Sequence, residues 1–367
     1  MIKATISSSR LHHNLNIVRK HLKPNTRIMA ILKANAYGHG ARHLCDFYLK
    51  EGISHFGVAR LNEALNLRQI SASPEILILS PINPHLFPQA IKENISLTIT
   101  NPKDLLSLNN IASKIQTKAN IHIKVDTGMH RTGATAQEFQ EILSLLPKQG
   151  HINLVGIFTH FADADMINSN YTHIQFDLFS KLTQQVKSIY PHVVLHAANS
   201  AAILKHPETH LDMVRPGLAL HGINPFQEDG IDFGLMPTMS LTTEISRIHT
   251  LKSGESIGYN LTYKAKKDLL CATIAGGYAD GLRRGPNPWP HALIGKHLCP
   301  VIGRVSMDQI SLDISQTSPV PKLYQPVCLI SDDTTSPSSI YSISQILGTT
   351  PYEIFTSISE RVEREII

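Results

Sequence analysis

The strongest limit on the fold is an alternation. Apolar, strand-like segments recur at Ile28–Leu32, His55–Ala59, Ile76–Ser80, Ile95–Thr100, Ile121–Asp126, Leu154–His160, Val193–Asn199 and Asp212–Leu220. Helix-like stretches lie between most of them, among them Leu61–Ile70, Pro102–Lys118, Ala136–Leu146 and Tyr171–Ile189. Before them, Ser7 to His21 carries Leu11, Leu15 and Val18 at helical spacing behind a serine-rich cap. Strands alternating with helices predict parallel βα units, and eight such units closing on themselves make a TIM barrel. After about Pro225 the rhythm changes to short alternating segments (Thr238–Thr250, Leu269–Ala275, His291–Ile294, Val301–Gly303, Asp308–Ile314, Val327–Ser331) divided by Gly and Pro clusters. Ile340–Leu347 is a last helix-like stretch. The fold class expected is α/β: an N-terminal TIM (β/α)8 barrel over residues 1–230, then a mostly-β domain over 231–367.

The C-terminal ends of the barrel segments carry polar residues: Lys33, Asp126, His160, Asn199 and Arg215. In a TIM barrel those ends converge on one mouth, where active sites lie. Lys33 ends the run Ile28-Met29-Ala30-Ile31-Leu32 and opens a small-residue loop, Ala34-Asn35-Ala36-Tyr37-Gly38-His39-Gly40. Partial desolvation at a strand rim lowers a lysine pKa and exposes a nucleophilic amine, as a Schiff-base lysine requires. A lysine snorkelling from a strand end would look the same in sequence.

Composition excludes several classes. At 42% apolar and 17% charged, the 367-residue chain fits neither disorder nor a coiled coil. No apolar run approaches the roughly 18 residues of a membrane span. The first residues lack a signal-peptide core, so a cytoplasmic protein is expected. Four scattered cysteines form no Cys-x-x-Cys pair and read as reduced thiols. The net charge of +5 is spread out, and its densest runs, Lys264-Ala265-Lys266-Lys267 and Arg283-Arg284, are too short for a nucleic-acid surface. Twenty histidines include no His-Glu-x-x-His or other helical metal spacing, so no metal is expected.

Leu32-Lys33-Ala34-Asn35-Ala36-Tyr37-Gly38-His39-Gly40 resembles the pyridoxal-phosphate attachment signature of bacterial alanine racemases. Further matches follow in the same order: Lys124-Val125-Asp126-Thr127-Gly128-Met129-His130-Arg131, His196-Ala197-Ala198-Asn199-Ser200, Val214-Arg215-Pro216-Gly217, Gly277-Tyr278-Ala279-Asp280-Gly281 and Met307-Asp308-Gln309. The resemblance implies a barrel followed by a β domain and interconversion of L- and D-alanine, supplying D-alanine for peptidoglycan. It implies pyridoxal 5'-phosphate bound as an aldimine to Lys33, with Lys33 and Tyr259 as bases on opposite faces of Cα. It assigns His160 and Arg215 to a network that helps Tyr259 ionise, and Arg215 to the pyridine nitrogen. Arginine does not hand over its proton, so the ring nitrogen stays unprotonated and the ring is a weaker electron sink than one facing a carboxylate. That favours racemisation over transamination.

The same resemblance gives the phosphate to the hydroxyls of Tyr37 and Ser200 and the amides of Gly217 and Leu218, with Asn199 supporting the cofactor nearby. Arg131 is placed near the cofactor's phenolic oxygen and the substrate carboxylate. Lys124 matches a lysine carbamylated in parts of the family, where it braces that arginine. Tyr259 and Met307 would reach the other subunit's barrel mouth in a head-to-tail homodimer with composite active sites. Three positions depart from the pattern: Glu360 stands where some members carry a phosphate-touching tyrosine, Ser306 where some have cysteine, and His221 where tyrosine is common. Glu360 is expected to face solvent or an arginine. A non-catalytic pyridoxal-phosphate carrier would lack the β domain. A two-domain decarboxylase would place an acid where Arg215 stands, and broad-specificity racemases tend to be exported.

Overall fold

The computed structural model describes residues 2–367. Eighteen strands occur among them: β1 (Lys3–Ile6), β2 (Arg27–Ile31), β3 (His55–Val58), β4 (Glu75–Ile78), β5 (Ser96–Ile99), β6 (Ala119–Lys124), β7 (Ile152–Phe158), β8 (Val194–His196), β9 (Met213–Val214), β10 (Met239–Leu251), β11 (Ser256–Ile257), β12 (Tyr263–Lys264), β13 (Leu269–Ala275), β14 (His291–Ile294), β15 (His297–Ile302), β16 (Gln309–Asp313), β17 (Pro326–Ile330) and β18 (Glu363–Ile366). Strands β2 to β9 form one parallel sheet in the order β8-β7-β6-β5-β4-β3-β2-β9. It closes into a barrel where Asp212 and Arg215 amides donate to the carbonyls of Leu195 (3.1 Å) and Ala198 (2.9 Å).

These strands are nearly continuous apolar runs because a parallel barrel buries both faces. Every residue of β5 is buried, as are Ile28–Ile31 of β2. Three of the helices between them start on side-chain caps, at Asn101, Thr135 and Asn199. Asn101 accepts from the Asp104 amide at 2.9 Å, and Thr135 with Glu138 makes a reciprocal capping box. Strand β9 spans two residues rather than the longer segment expected, since Pro216 has no amide to donate to a ladder. The expected helix Tyr171–Ile189 is two pieces, Tyr171–Thr183 and Val186–Ile189.

The other large sheet runs β13-β16-β15-β14-β17-β10-β1-β18, with β13 also paired to β10. Its end is built from the two chain termini. Strand β1, which the alternation pattern does not reveal, pairs antiparallel with β10 and parallel with β18. The chain therefore starts in the C-terminal sheet, crosses through the helix Ser8–His21, and enters the barrel at β2. One apolar core runs from barrel to sheet, from Leu11 and Leu15 of that helix to Met239 and Leu241 of β10. Among the described residues no helix is long and apolar enough to cross a membrane.

Candidate active site

Lys33 follows β2 and begins a turn with an unusual backbone. Ala34, Asn35, Ala36 and Tyr37 have φ of 52°, 53°, 54° and 52°. Four consecutive side-chain-bearing residues are thus left-handed, at a cost of roughly 1–2 kcal/mol each. Specific bonds hold the turn. The Glu63 carboxylate accepts from the amides of Ala34 (2.7 Å), Ala59 (2.7 Å) and Arg60 (3.0 Å). Asn35 Oδ1 accepts from the Ala41 amide at 2.8 Å. From β18, Arg364 Nε donates to the Gly38 carbonyl at 3.0 Å. A Cβ on Gly38 would stand 1.9 Å from the Phe355 carbonyl oxygen, so only glycine lets the last helix seat here.

This turn sets the Lys33 side chain, half-buried, at the barrel mouth. Burial lowers the Lys33 pKa, and the positive charges of Arg131 and Arg215 lower it further against the pull of Glu63. Lys124, the last residue of β6, is pushed down to about 8 by burial and by the same two arginines. Its Nζ donates to Thr132 Oγ1 at 2.7 Å, so the lysine is tied to the residue after Arg131 rather than to Arg131 itself. Arg131 is exposed.

Opposite stands Arg215, buried just past β9, with no acidic partner among the described residues. Its Nη2 donates to the carbonyls of Thr159 (2.6 Å) and Ala197 (2.9 Å) and lies 3.3 Å from His160 Nδ1. Its Nη1 lies 3.0 Å from His196 Nδ1, and its Nε makes no hydrogen bond among the described residues. The guanidinium also sits 5.3 Å from the Phe158 ring centre. Behind it, His196 Nε2 is 2.9 Å from His122 Nδ1, and His196 stacks on Phe158. Gly156 makes room for this pair, because a Cβ there would meet His122 Nδ1 at 2.3 Å. Burial and then Arg215 hold His160 and His196 far below the ordinary imidazole range, so both are neutral. His122 is pushed down to about 3, first by burial.

Asn199 and Ser200 begin a helix after β8. Asn199 caps it, accepting from the Ala202 amide at 3.0 Å. Ser200 Oγ accepts from the amides of Gly217 (3.0 Å) and Ala219 (3.1 Å), which leaves its O–H free to donate. Leu218 opens the helical turn Leu218–His221. Tyr37 closes against this turn. A Cβ on Gly217 would stand 2.7 Å from Tyr37 Oη, and burial raises the Tyr37 pKa, keeping the phenol protonated.

The structure therefore brings Lys33, Tyr37, Lys124, Arg131, His160, Asn199, Ser200, Arg215, Gly217 and Leu218 to one end of the barrel. It does not bring Tyr259 or Met307 into that group. Both lie in the C-terminal domain, 61% and 52% exposed. The Tyr259 ring meets Arg284, which also lies over Tyr278. Gly277 packs against the Ser306 and Met307 carbonyls, which accept from the Tyr278 (3.0 Å) and Ala279 (3.1 Å) amides. Glu360 is exposed, and its charge acts on Arg364, as expected of that departure. His221 is buried, stacked 4.3 Å from His39 and 5.2 Å from the Tyr37 ring.

Sequence reasoning missed Glu63, His122, His196 and Thr132 as supports. His196 stood inside a quoted motif, and His122 is a polar residue in an otherwise apolar strand; both signals were available. Glu63 gave none, since it is one glutamate on a helix.

Residues 6–225 match the family model described as alanine racemase, N-terminal domain, and residues 238–366 the one described as alanine racemase, C-terminal domain. The chain is 35% identical to an alanine racemase of Methanococcus maripaludis, covering 99% of this chain and 98% of that one. It is likewise 35% identical to an alanine racemase of Streptococcus uberis, covering 99% and 97%. Among solved structures, the alanine racemase of Clostridium difficile 630 superposes with a TM-score of 0.93 at 33% identity, over 100% of this chain and 95% of that one. The alanine racemase of Bacillus anthracis superposes with a TM-score of 0.92 at 30% identity, over 100% and 95%. With both domains matched and full-length relatives in agreement, this chain belongs to the alanine racemase family.

Proposed function

We propose that the protein interconverts L- and D-alanine by a two-base exchange of the Cα proton, with pyridoxal 5'-phosphate held at the barrel mouth. The observation that carries this is the setting of Arg215, a buried cation whose Nε makes no hydrogen bond and which has no carboxylate beside it among the described residues. The residues fit the cofactor. Lys33 offers an amine of lowered pKa as its attachment point. Ser200 has a free hydroxyl proton, and with Tyr37 and the Gly217–Leu218 turn it makes a cradle that a Cβ would fill. The cofactor, when bound, takes up the electron pair left at Cα.

Lys33 would hold the cofactor and move the Cα proton on one face. Tyr259 moves it on the other. Arg215 would support a ring nitrogen of the cofactor without giving it a proton, leaving the group a weaker electron sink. Arg131 binds the substrate carboxylate, a task suited to guanidinium. Lys124, when carbamylated, turns from a cation into an anion beside Arg131 and positions it.

Tyr259 comes from the partner subunit in this reading, and Met307 lines the same mouth. The support is that Tyr259, Leu261, Tyr278 and Met307 form an exposed apolar group on the C-terminal domain, as a covered surface would. We place the division between the units at 230/231, with β1 joining the second. A role supplying D-alanine for peptidoglycan rests on the family resemblance, and a cytoplasmic place on first residues that carry no signal-peptide core.

The test is incubation of purified protein with L-alanine in deuterated water. D-alanine carrying deuterium at Cα is expected. Lys33→Ala should remove both the visible absorbance of bound cofactor and the exchange. Unchanged turnover in that variant rejects the assignment.

A further inference from the structure

We propose that His173, His206 and Glu208 form a site for one divalent transition-metal ion, best matched by Zn2+. It lies where the helix Tyr171–Thr183 meets the turn after the helix Ser200–Lys205. No residue of it belongs to the barrel mouth. The three side chains place one ligand atom each within 4.8 Å of the others. Two imidazoles and a carboxylate are a familiar zinc donor set, with a fourth position for water.

The spacings are compatible with a shared ion. Glu208 Oε1 lies 3.5 Å from His173 Nδ1 and 3.4 Å from His206 Nδ1. Elsewhere in this chain His12 and Glu51 stand at 3.0 Å and His55 and Glu75 at 3.4 Å, each carboxylate oxygen with one imidazole; here a single Glu208 oxygen faces two. The edge of a tetrahedron with metal–ligand bonds of about 2.0–2.1 Å is about 3.3–3.4 Å, close to both observed separations. The two rings are 5.3 Å apart and nearly perpendicular, at 78°, so their edges converge instead of stacking.

The surroundings agree. Among the described residues no lysine or arginine pairs with Glu208; only these two histidines do. Its negative charge is therefore unclaimed by a fixed cation. The His206 side chain is 10% exposed, whereas His173 and Glu208 are 54% and 40% exposed and open to solvent, from which an ion would enter. The ligands come from two separate segments, which explains why no helical metal spacing betrays them in sequence. An ion held there would tie the helix Tyr171–Thr183 to the segment that begins at Ser200, and would bind the folded chain but not the unfolded one.

The probe is Zn2+ alone, dialysed against the purified full-length holoenzyme. One ion per chain should be retained, with a rise of several degrees in Tm. X-ray absorption should show nitrogen and oxygen ligands with no sulfur. His173→Ala and Glu208→Gln, both at exposed positions, should keep racemisation unchanged and weaken zinc retention by more than about tenfold. No retained ion in the parent protein, retention unchanged in both variants, or sulfur in the absorption spectrum overturns the proposal.

Discussion

Arg215 Nη2 lies 3.3 Å from His160 Nδ1, and this one contact fixes the proton on the imidazole. Arginine has no acceptor, so Nδ1 must be the bare nitrogen and Nε2 carries the hydrogen. The same logic runs the other way. His196 Nδ1 accepts from Arg215, so its Nε2–H donates to His122 Nδ1. A single buried cation thereby sets three tautomers, and leaves His160 with a donor directed away from Arg215.

Nitrogen-edited NMR of histidine side chains should report the Nε2–H tautomer for His160 and His196 at neutral pH. An Nδ1–H signal for either would contradict this chain of donors. Replacing His160 with Ala should lower kcat by roughly 10²-fold, the lower end for lost acid–base support, while cofactor absorbance persists.

If Tyr259 completes the site of another subunit, two dead variants should rescue each other. Lys33→Ala and Tyr259→Ala chains, mixed in equal amounts and allowed to reassort, would give one intact site in each mixed dimer. Random pairing makes half the dimers mixed, so about a quarter of the parent activity should return. Activity no higher than in the separate variants would place both bases on one chain.

Carbamylation of Lys124 needs the neutral amine. Its pKa is lowered to about 8, so the reactive fraction grows as pH rises through 8 rather than through the ordinary lysine range. Folded-state depression also means that stability gains from this group appear as pH climbs from about 8 towards 10.4, where the unfolded chain still holds the proton. Native mass spectrometry across pH 6.5 to 9 in bicarbonate should show the mass of one added CO2 increasing with pH. Lys124→Ala should abolish it and weaken carboxylate binding, seen as a raised KM.

Glu63 accepts a hydrogen bond from the Ala34 amide of the left-handed turn and ties it to the amides of Ala59 and Arg60. Glu63→Ala should cost about 2 kcal/mol by analogy with the stronger helix caps, measured by denaturant unfolding. It should also loosen cofactor affinity, because Tyr37 and Lys33 bracket the same turn. Glu63→Gln retains one acceptor oxygen and should fall between the two.

Much of the barrel was legible. A parallel strand buried on both faces must be an apolar run, and the segments at His55, Ile76, Ile95 and Ile121 each reappear within a few residues of their expected positions. Strand β1 was not legible, because four residues that alternate in burial look like any loop until β10 and β18 flank them. The left-handed turn was equally hidden. Ala34, Asn35 and Ala36 have no preference for positive φ strong enough to announce it, and only Glu63, Arg364 and the last helix, from distant parts of the chain, make it stable.

The sequence by itself determined which chemical groups the protein possesses: an amine at a strand end, an arginine before Pro216-Gly217, hydroxyls and glycines for an anion. Their types and order suffice, since each is a local property of the chain. The tertiary structure decided their state. Burial makes Lys33 a weaker base and His160 neutral, and the meeting of Arg215 with two histidines orients their protons. Those properties depend on desolvation and on charges brought together from separate strands, which no stretch of sequence contains.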